Sequence, residues 1–213
     1  MRSLIIGASG GIGAALVKAL ASKGEVVALS RATHGLEITD EASVAEHLGA
    51  LAGSFDLIFT ATGALGTPEK ALRSLTAGEL LSQVAINALG PALVLKHSLR
   101  LMPKDRRCVY AALSARVGSI GDNSLGGWHS YRASKAALNQ LLHGAAIEIA
   151  RTHPQAIVAA LHPGTVDTPF TEGYGHEKHS PTRAATDLLA VLDGLTPAQS
   201  GGFFDYSGAT VPW

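Results

Sequence analysis

The chain has 213 residues, enough for one domain with a sizeable core. Seventeen basic residues balance seventeen acidic ones and no basic run occurs, which argues against nucleic acid or an anionic membrane as the main partner. The opening Met1-Arg2-Ser3-Leu4-Ile5-Ile6-Gly7 reaches glycine too early for a signal peptide, and no apolar stretch reads as a membrane span. Cys108 is the only cysteine, so no internal disulfide forms and a cytoplasmic, reducing location is expected, with the thiol a core residue before a nucleophile.

In chain order, Leu4-Ile5-Ile6 has the short apolar pattern of a buried parallel strand. Gly7-Ala8-Ser9-Gly10-Gly11-Ile12-Gly13 follows, then an amphipathic helix from about residue 12 to 22. A glycine-rich turn between strand and helix suits a pyrophosphate: the backbone can approach it closely, and the helix start offers free N–H groups and a positive dipole end. A tight turn that binds nothing is the alternative. Residues 25–30 read as a second strand ending in Ser30-Arg31. An acidic residue there would hold the ribose 2′-hydroxyl of NAD, whereas an arginine suits the 2′-phosphate of NADP. Arg31 therefore points to NADP(H) over NAD(H), unless it is an ordinary loop arginine.

Leu36-Glu37-Ile38 reads as a short third strand, residues 41–52 as a helix, and Phe55–Phe59 as the next strand, running into Thr60-Ala61-Thr62-Gly63. A long helical pattern spans about 76 to 101, bent near Gly90-Pro91 because a helix-interior proline removes a backbone bond. It contains Asn87, a solvated polar position or an anchor for water. Residues 107–113 form a strand that ends at Ser114-Ala115-Arg116-Val117-Gly118-Ser119. A helix spans about 131 to 151, and a strand spans 156–161 and ends at His162-Pro163-Gly164-Thr165-Val166-Asp167-Thr168. Residues 169–180 have no period and read as a loop near a ligand. A helix at 181–194, a short strand at 203–205 and a tail to Trp213 follow. The alternation predicts a single Rossmann-type α/β domain: a doubly wound parallel sheet with helices on both faces and ligands beyond the strands' carboxyl ends.

The helix at 131 opens with Tyr131-Arg132-Ala133-Ser134-Lys135, and positions four apart share one helix face. A phenol with a pKa of about 10 is a poor acid at neutral pH, but a nearby cation lowers that value by about 1–3. Such a pair can move a proton at a carbonyl or alcohol oxygen. It can also be a solvated surface pair.

With Gly7, Gly11, Gly13, Ser114, Tyr131 and Lys135 in this order, the chain resembles the short-chain dehydrogenase/reductase family over essentially its whole length. Gly118-Ser119-Ile120, Gly126-Gly127, the Tyr131–Asn139 segment and the ending from Asp205 to Trp213 resemble the branch of C-factor-like proteins and Sniffer-type carbonyl reductases. The resemblance implies an NADPH-dependent reductase of aldehydes, ketones or quinones, or a C-factor-type signalling protein with vestigial catalysis. It implies catalytic roles for Tyr131, Lys135, Ser114 and Asn87. It implies cofactor contacts from Gly7, Ser9, Gly11, Ile12, Gly13, Ser30, Arg31, Ala61, Gly63, Asn87, Tyr131, Lys135, Pro163, Gly164, Val166 and Thr168, and no metal. It also implies a homodimer through helices 76–101 and 131–151.

Three departures stand out. Thr60-Ala61-Thr62-Gly63 replaces the family's Asn-Asn-Ala-Gly. Ala115 occupies the usual serine position, leaving Ser114, with Ser119 as second choice. The gap from Ser114 to Tyr131 is also longer than is common. His176 and His179 have metal-ligand spacing but no matching third ligand, so zinc is not expected. Trp128 and Trp213 line a pocket or pack under the tail. The substrate pocket is expected from residues 115–127, 169–180 and the tail, and nothing there names a substrate.

Overall fold

A computed structural model describes residues 1–175 and 177–213; of the two histidines at metal-ligand spacing, His176 lies outside them. Six strands form one wholly parallel sheet: β1 (Arg2–Ile6), β2 (Glu25–Leu29), β3 (Leu57–Thr60), β4 (Cys108–Leu113), β5 (Ala156–His162) and β6 (Gly202–Asp205). Their order is β2-β1-β3-β4-β5-β6, so the chain winds outward in both directions from the β1–β3 boundary. Both faces are covered, as parallel sheets require. On one face Ile5, Phe59, Ala111 and Ile157 pack against α1 (Gly11–Leu20) and α7 (Pro181–Gly194). On the other, Leu4, Ile58, Tyr110 and Val158 meet α3 (Glu41–Gly49), the long central helix and α6 (His129–Ile149). The alternation of these strand residues between two cores is the period-two pleat expressed as two apolar layers.

The helices begin where short polar side chains cap them. Asp40 accepts from the Ala42 N–H before α3, Thr76 from the Glu79 N–H before α4 (Ala77–Val84), and Ser180 from the Arg183 N–H before α7, which has Pro181 in its first turn.

Two expectations need correction. Leu36-Glu37-Ile38 is not a strand. Ser30 instead caps a short helix, α2 (Arg31–His34), which closes on Gly35 at φ 72°. Leu36 and Ile38 do bury their side chains, so the alternation reports burial. The backbone groups at Glu37 are satisfied locally: its N–H donates to Ser43 Oγ at 3.0 Å and its carbonyl accepts from Asp40 N–H at 3.2 Å. Nothing is left there for a neighbouring strand.

The second concerns the helical run Ala77–Leu101. At 25 residues it is long and apolar enough to cross a bilayer, contrary to the sequence reading. A helix packed partly into a globular core passes the same test, and Val94, Leu95 and Leu101 lie in the core here. Its irregularity begins one turn before the Gly90-Pro91 pair. A π turn spans Ala85–Leu89, with the Gly90 N–H donating to Ala85 O, before α5 (Gly90–Ser98) resumes. Pro91 has no N–H for the ladder, which deprives a carbonyl one turn upstream of its donor, and the Pro91 carbonyl itself accepts from the Tyr110 hydroxyl at 2.6 Å. Tyr110 also meets Thr60 Oγ1 at 2.9 Å. One phenol thus ties β3, β4 and α5 together at the Thr60 end of the segment where the expected amides are missing.

Candidate active site

The β1–α1 turn is built for close approach. Gly7 has φ 85°, a left-handed backbone that favours glycine, and its N–H donates to Leu29 O at 2.9 Å. A side chain at Gly13 would overlap the Gly7 carbonyl oxygen, and one at Gly11 would sit 2.6 Å from Thr168 Cγ2. Gly10 caps α1 without a side chain, so no side-chain acceptor occupies the first N–H groups of that helix. This cradle opens into a cavity of about 470 Å³ lined by Gly7, Ser9, Gly10, Ser30, Arg31, Ala61, Thr62 and Gly63, among others. Ile12 lies in the first turn of α1, half-buried. At the far end Ser30 turns its hydroxyl inward as the cap of α2, while the Arg31 side chain is 80% exposed and 3.6 Å from the Glu37 carboxylate.

The β5 segment closes the other side. Gly164 has φ 76° and packs under the rings of His179 and Tyr206, Val166 is buried and bridges to His179, and Thr168 caps a short turn beside Gly11. Pro163 is half-buried between His162 and Gly164.

Tyr131 and Lys135 occupy consecutive turns of α6. Tyr131 is 6% exposed, with its ring 6.0 Å from Phe170 and 6.2 Å from Trp128. Lys135 is fully enclosed; its ammonium donates to the Leu113 carbonyl at 2.9 Å and lies 5.8 Å from the Tyr131 ring centroid. A Cβ at Gly63 would sit 3.5 Å from Lys135 Nζ, so the loop that lines the cavity also meets this lysine. Burial pulls the Lys135 pKa down to about 7. Burial, and then Tyr174, push the Tyr131 phenol up. This runs against the expectation of an acidified phenol, because burial of the phenol itself is the largest influence on it.

Asn87 sits in the π turn, a feature frequent at functional sites. Its amide is engaged by protein: Oδ1 accepts from Ala64 N–H at 2.9 Å, and Nδ2 donates to Ala64 O at 2.8 Å and Gln83 Oε1 at 2.7 Å. It also lies 3.1 Å from Ser134 Oγ, which donates to the Tyr131 carbonyl. The side chain therefore clamps the cavity loop to α6 rather than offering a free donor to water.

Neither candidate serine reaches the phenol. Ser114 Oγ donates to Asn139 Oδ1 at 2.6 Å, because strand alternation continues past Leu113 and turns residue 114 toward α6. Ser119 Oγ accepts from Asp122 N–H. Between them Ala115 is ordinarily extended at φ −146° and ψ 143°. Sequence reasoning missed Glu69, a buried carboxylate bonded to Ser130 beside Tyr131. A Glu followed 61 residues later by Ser gives no local signal.

With this geometry in place, comparison with known proteins is decisive for the family. A model described as enoyl-(acyl carrier protein) reductase matches residues 33–193. The chain belongs to that family, and its fold is that of the short-chain dehydrogenase/reductases. A 1-hydroxy-2-glutathionyl-2-methyl-3-butene dehydrogenase of Rhodococcus sp. is 30% identical, with 99% of this chain and 98% of that protein covered. The C-signal protein of Myxococcus xanthus is 35% identical over 67% of this chain and 84% of its own length. Among solved structures, a short-chain dehydrogenase/reductase of Burkholderia multivorans with bound NADP superimposes with a TM-score of 0.84 at 25% identity, over 100% of this chain and 99% of that one.

Proposed function

We propose that the protein is an NADPH-dependent reductase of the carbonyl reductase type that converts an aldehyde, ketone or quinone into the alcohol. One observation carries this reading. A buried Tyr131–Lys135 pair shares the Gly63 loop with a cavity whose glycine turn leaves a helix N-terminus uncapped. The cradle fits a dinucleotide: pyrophosphate on Gly7, Ser9, Gly11, Ile12 and Gly13, 2′-phosphate near Ser30 and Arg31, adenosine and ribose past Ala61 and Gly63, and the nicotinamide end against Pro163, Gly164, Val166 and Thr168. Bound there, the nicotinamide supplies hydride to the carbonyl carbon.

The chain's own part is to orient the substrate and deliver a proton. Tyr131 gives its phenolic proton to the carbonyl oxygen as general acid. The phenol carries its proton at neutral pH, the form reduction needs, but burial raises its pKa and so makes it a weaker acid in the free protein. Lys135 holds the ribose end, and a partner there would restore the charge that burial now opposes. Asn87 keeps the loop and helix in register.

A second reading has its own support. The likeness to C-signal, Ala115 at the usual serine position and the commitment of Ser114 to Asn139 fit a nucleotide-binding signalling protein with weak turnover. For location we favour the cytoplasm: the single thiol, Cys108, is buried and pushed up to about 11 by that burial, which makes it unreactive. We also favour a homodimer. The long helix packs on α6 and leaves Leu81, Leu141 and Ile147 exposed.

Fluorescence titration with NADPH and NADH, on wild type and Arg31→Ala, tests the cofactor. NADPH binding that weakens in the variant, with turnover of a carbonyl probe, supports the reductase. NADPH binding without turnover supports the signalling reading, and binding of neither nucleotide sinks both.

A further inference from the structure

The first turn of α6 carries Tyr131, yet nothing on that helix caps it. The residue at the cap is Trp128, which has no side-chain acceptor and lies in the left-handed region at φ 52°. Gly126 and Gly127, at φ 64° and 63°, precede it. Three successive left-handed residues are tolerable for glycine, but for an indole-bearing residue the conformation is strained and needs outside support.

That support comes from Glu69, in the loop between β3 and α4. Its carbonyl accepts the Trp128 N–H at 2.6 Å. Its carboxylate accepts the Ser130 N–H at 3.2 and 3.3 Å through its two oxygens, and also accepts the Ser130 hydroxyl. Glu69 is only 5% exposed. Burial pushes its pKa up, but the hydrogen bonds, those from Ser130 foremost, outweigh that and hold it below the usual carboxylate range. An anion at the start of a 21-residue helix also meets the positive end of its dipole. The main chain at Glu69 and Lys70 packs in van der Waals contact with Gly127, where a Cβ would lie 3.4 Å from the Glu69 carbonyl oxygen.

We propose that Glu69 is a positioning residue for Tyr131. It grips the residue before the helix and the residue before the phenol, fixing the rotation of the first turn of α6 and hence the direction of the phenolic oxygen. The same grip holds the Trp128 indole edge-on to the Tyr131 ring and 5.9 Å from Tyr174, forming an aromatic wall beside it. The role rests on the reading of Tyr131 as proton donor.

The test compares wild type, Glu69→Ala, Glu69→Gln and Ser130→Ala, at saturating NADPH, with 4-nitrobenzaldehyde and a quinone as probes. kcat is expressed per nucleotide-binding site, so misfolded protein does not count. Misplacing a reacting group by about 1 Å costs about 100-fold. Glu69→Ala should therefore lose about 10- to 100-fold in kcat, with the NADPH Kd within about twofold of wild type. Glu69→Gln, which keeps an acceptor, should recover most of the loss, and Ser130→Ala should fall between. If Glu69→Ala does not fold, the Gln and Ser130 variants carry the comparison through the same kcat-against-Kd split. A kcat within about twofold of wild type in every folded variant overturns the proposal. So does a parallel fall in kcat and nucleotide affinity that Gln does not rescue. A wild type that binds NADPH but reduces neither probe overturns the reductase reading instead, and the positioning role with it.

Discussion

Two helices, α1 and α6, start at the carboxyl edge of the sheet without a capping side chain of their own, and they resolve this in opposite ways. At α1 the cap is Gly10 and no side-chain acceptor takes the first N–H groups, with glycines clearing the space around them. At α6 a carboxylate from 61 residues away fills the same role. The contrast separates the two jobs of the site. A helix start left open can receive an anionic ligand, whereas one filled by the protein's own anion is closed to ligand phosphate and serves to hold a side chain still.

The largest break in this comparison is at the phenol. Tyr131→Phe removes the proton donor while leaving the glycine turn and the Glu69 grip in place. kcat should fall by about 10²–10⁴-fold, with NADPH affinity nearly unchanged. Steady-state kinetics beside a binding titration checks this, and loss of nucleotide binding in the variant would contradict the role given to the phenol.

Next is the open helix. Gly13→Ala places a methyl group against the Gly7 carbonyl oxygen, a backbone atom that cannot swing aside. Overpacking of this kind costs about 1–3 kcal/mol, and the displaced turn should bind NADPH about tenfold or more weakly. Thermal denaturation with and without NADPH separates the two effects. The Tm of the free protein should fall, and the further rise that NADPH gives should shrink as well.

The difference between the two helix starts also decides what the sequence could disclose. The glycine turn was legible because its constraints are local: an apolar strand, Gly7 and Gly13 lie within one short stretch. The Tyr131–Lys135 pair was legible from helical spacing. The grip of Glu69 was not, since it depends on tertiary folding that brings two loops together. Between these extremes lie the partial readings. Leu36 and Ile38 showed the alternation of burial, but Ser43 and a local turn took the backbone bonds a strand would need. The proline predicts a bend near Gly90-Pro91, and the helix answers with a π turn over Ala85–Leu89, one turn upstream, where the missing N–H leaves a carbonyl without its donor. The resemblance assigns Ser114 a catalytic role, but the strand's alternation carries its hydroxyl to Asn139.

Lys135 gives a pH test. The folded protein holds this lysine's pKa down at about 7, against about 10.5 when unfolded. Between those values the unfolded chain binds more protons, so this group makes stability rise with pH through the window and leaves its full penalty in force below about pH 7. Lys135→Met should therefore stabilise the free protein by an amount on the order of a few kcal/mol below pH 7, an advantage that fades toward pH 10. Denaturant unfolding across that range reads it directly, and an advantage independent of pH would mean that the lysine is not desolvated as described.

The smallest expected effect lies at the rim of the open site. Arg31 is 80% exposed and already 3.6 Å from Glu37, whose carboxyl is held below its usual range first by the Thr39 N–H and only then by the guanidinium. A 2′-phosphate would have to draw the arginine from that partner in a well-solvated setting, where an exposed ion pair contributes about 0–1 kcal/mol. Arg31→Ala should thus weaken NADPH binding only about three- to fivefold and leave NADH unaffected. Glu37→Gln, by freeing the guanidinium, should tighten NADPH binding by a similar factor, while NADH changes less. Equal shifts for both nucleotides would place the pair outside the 2′-phosphate site and leave Ser30 as its residue.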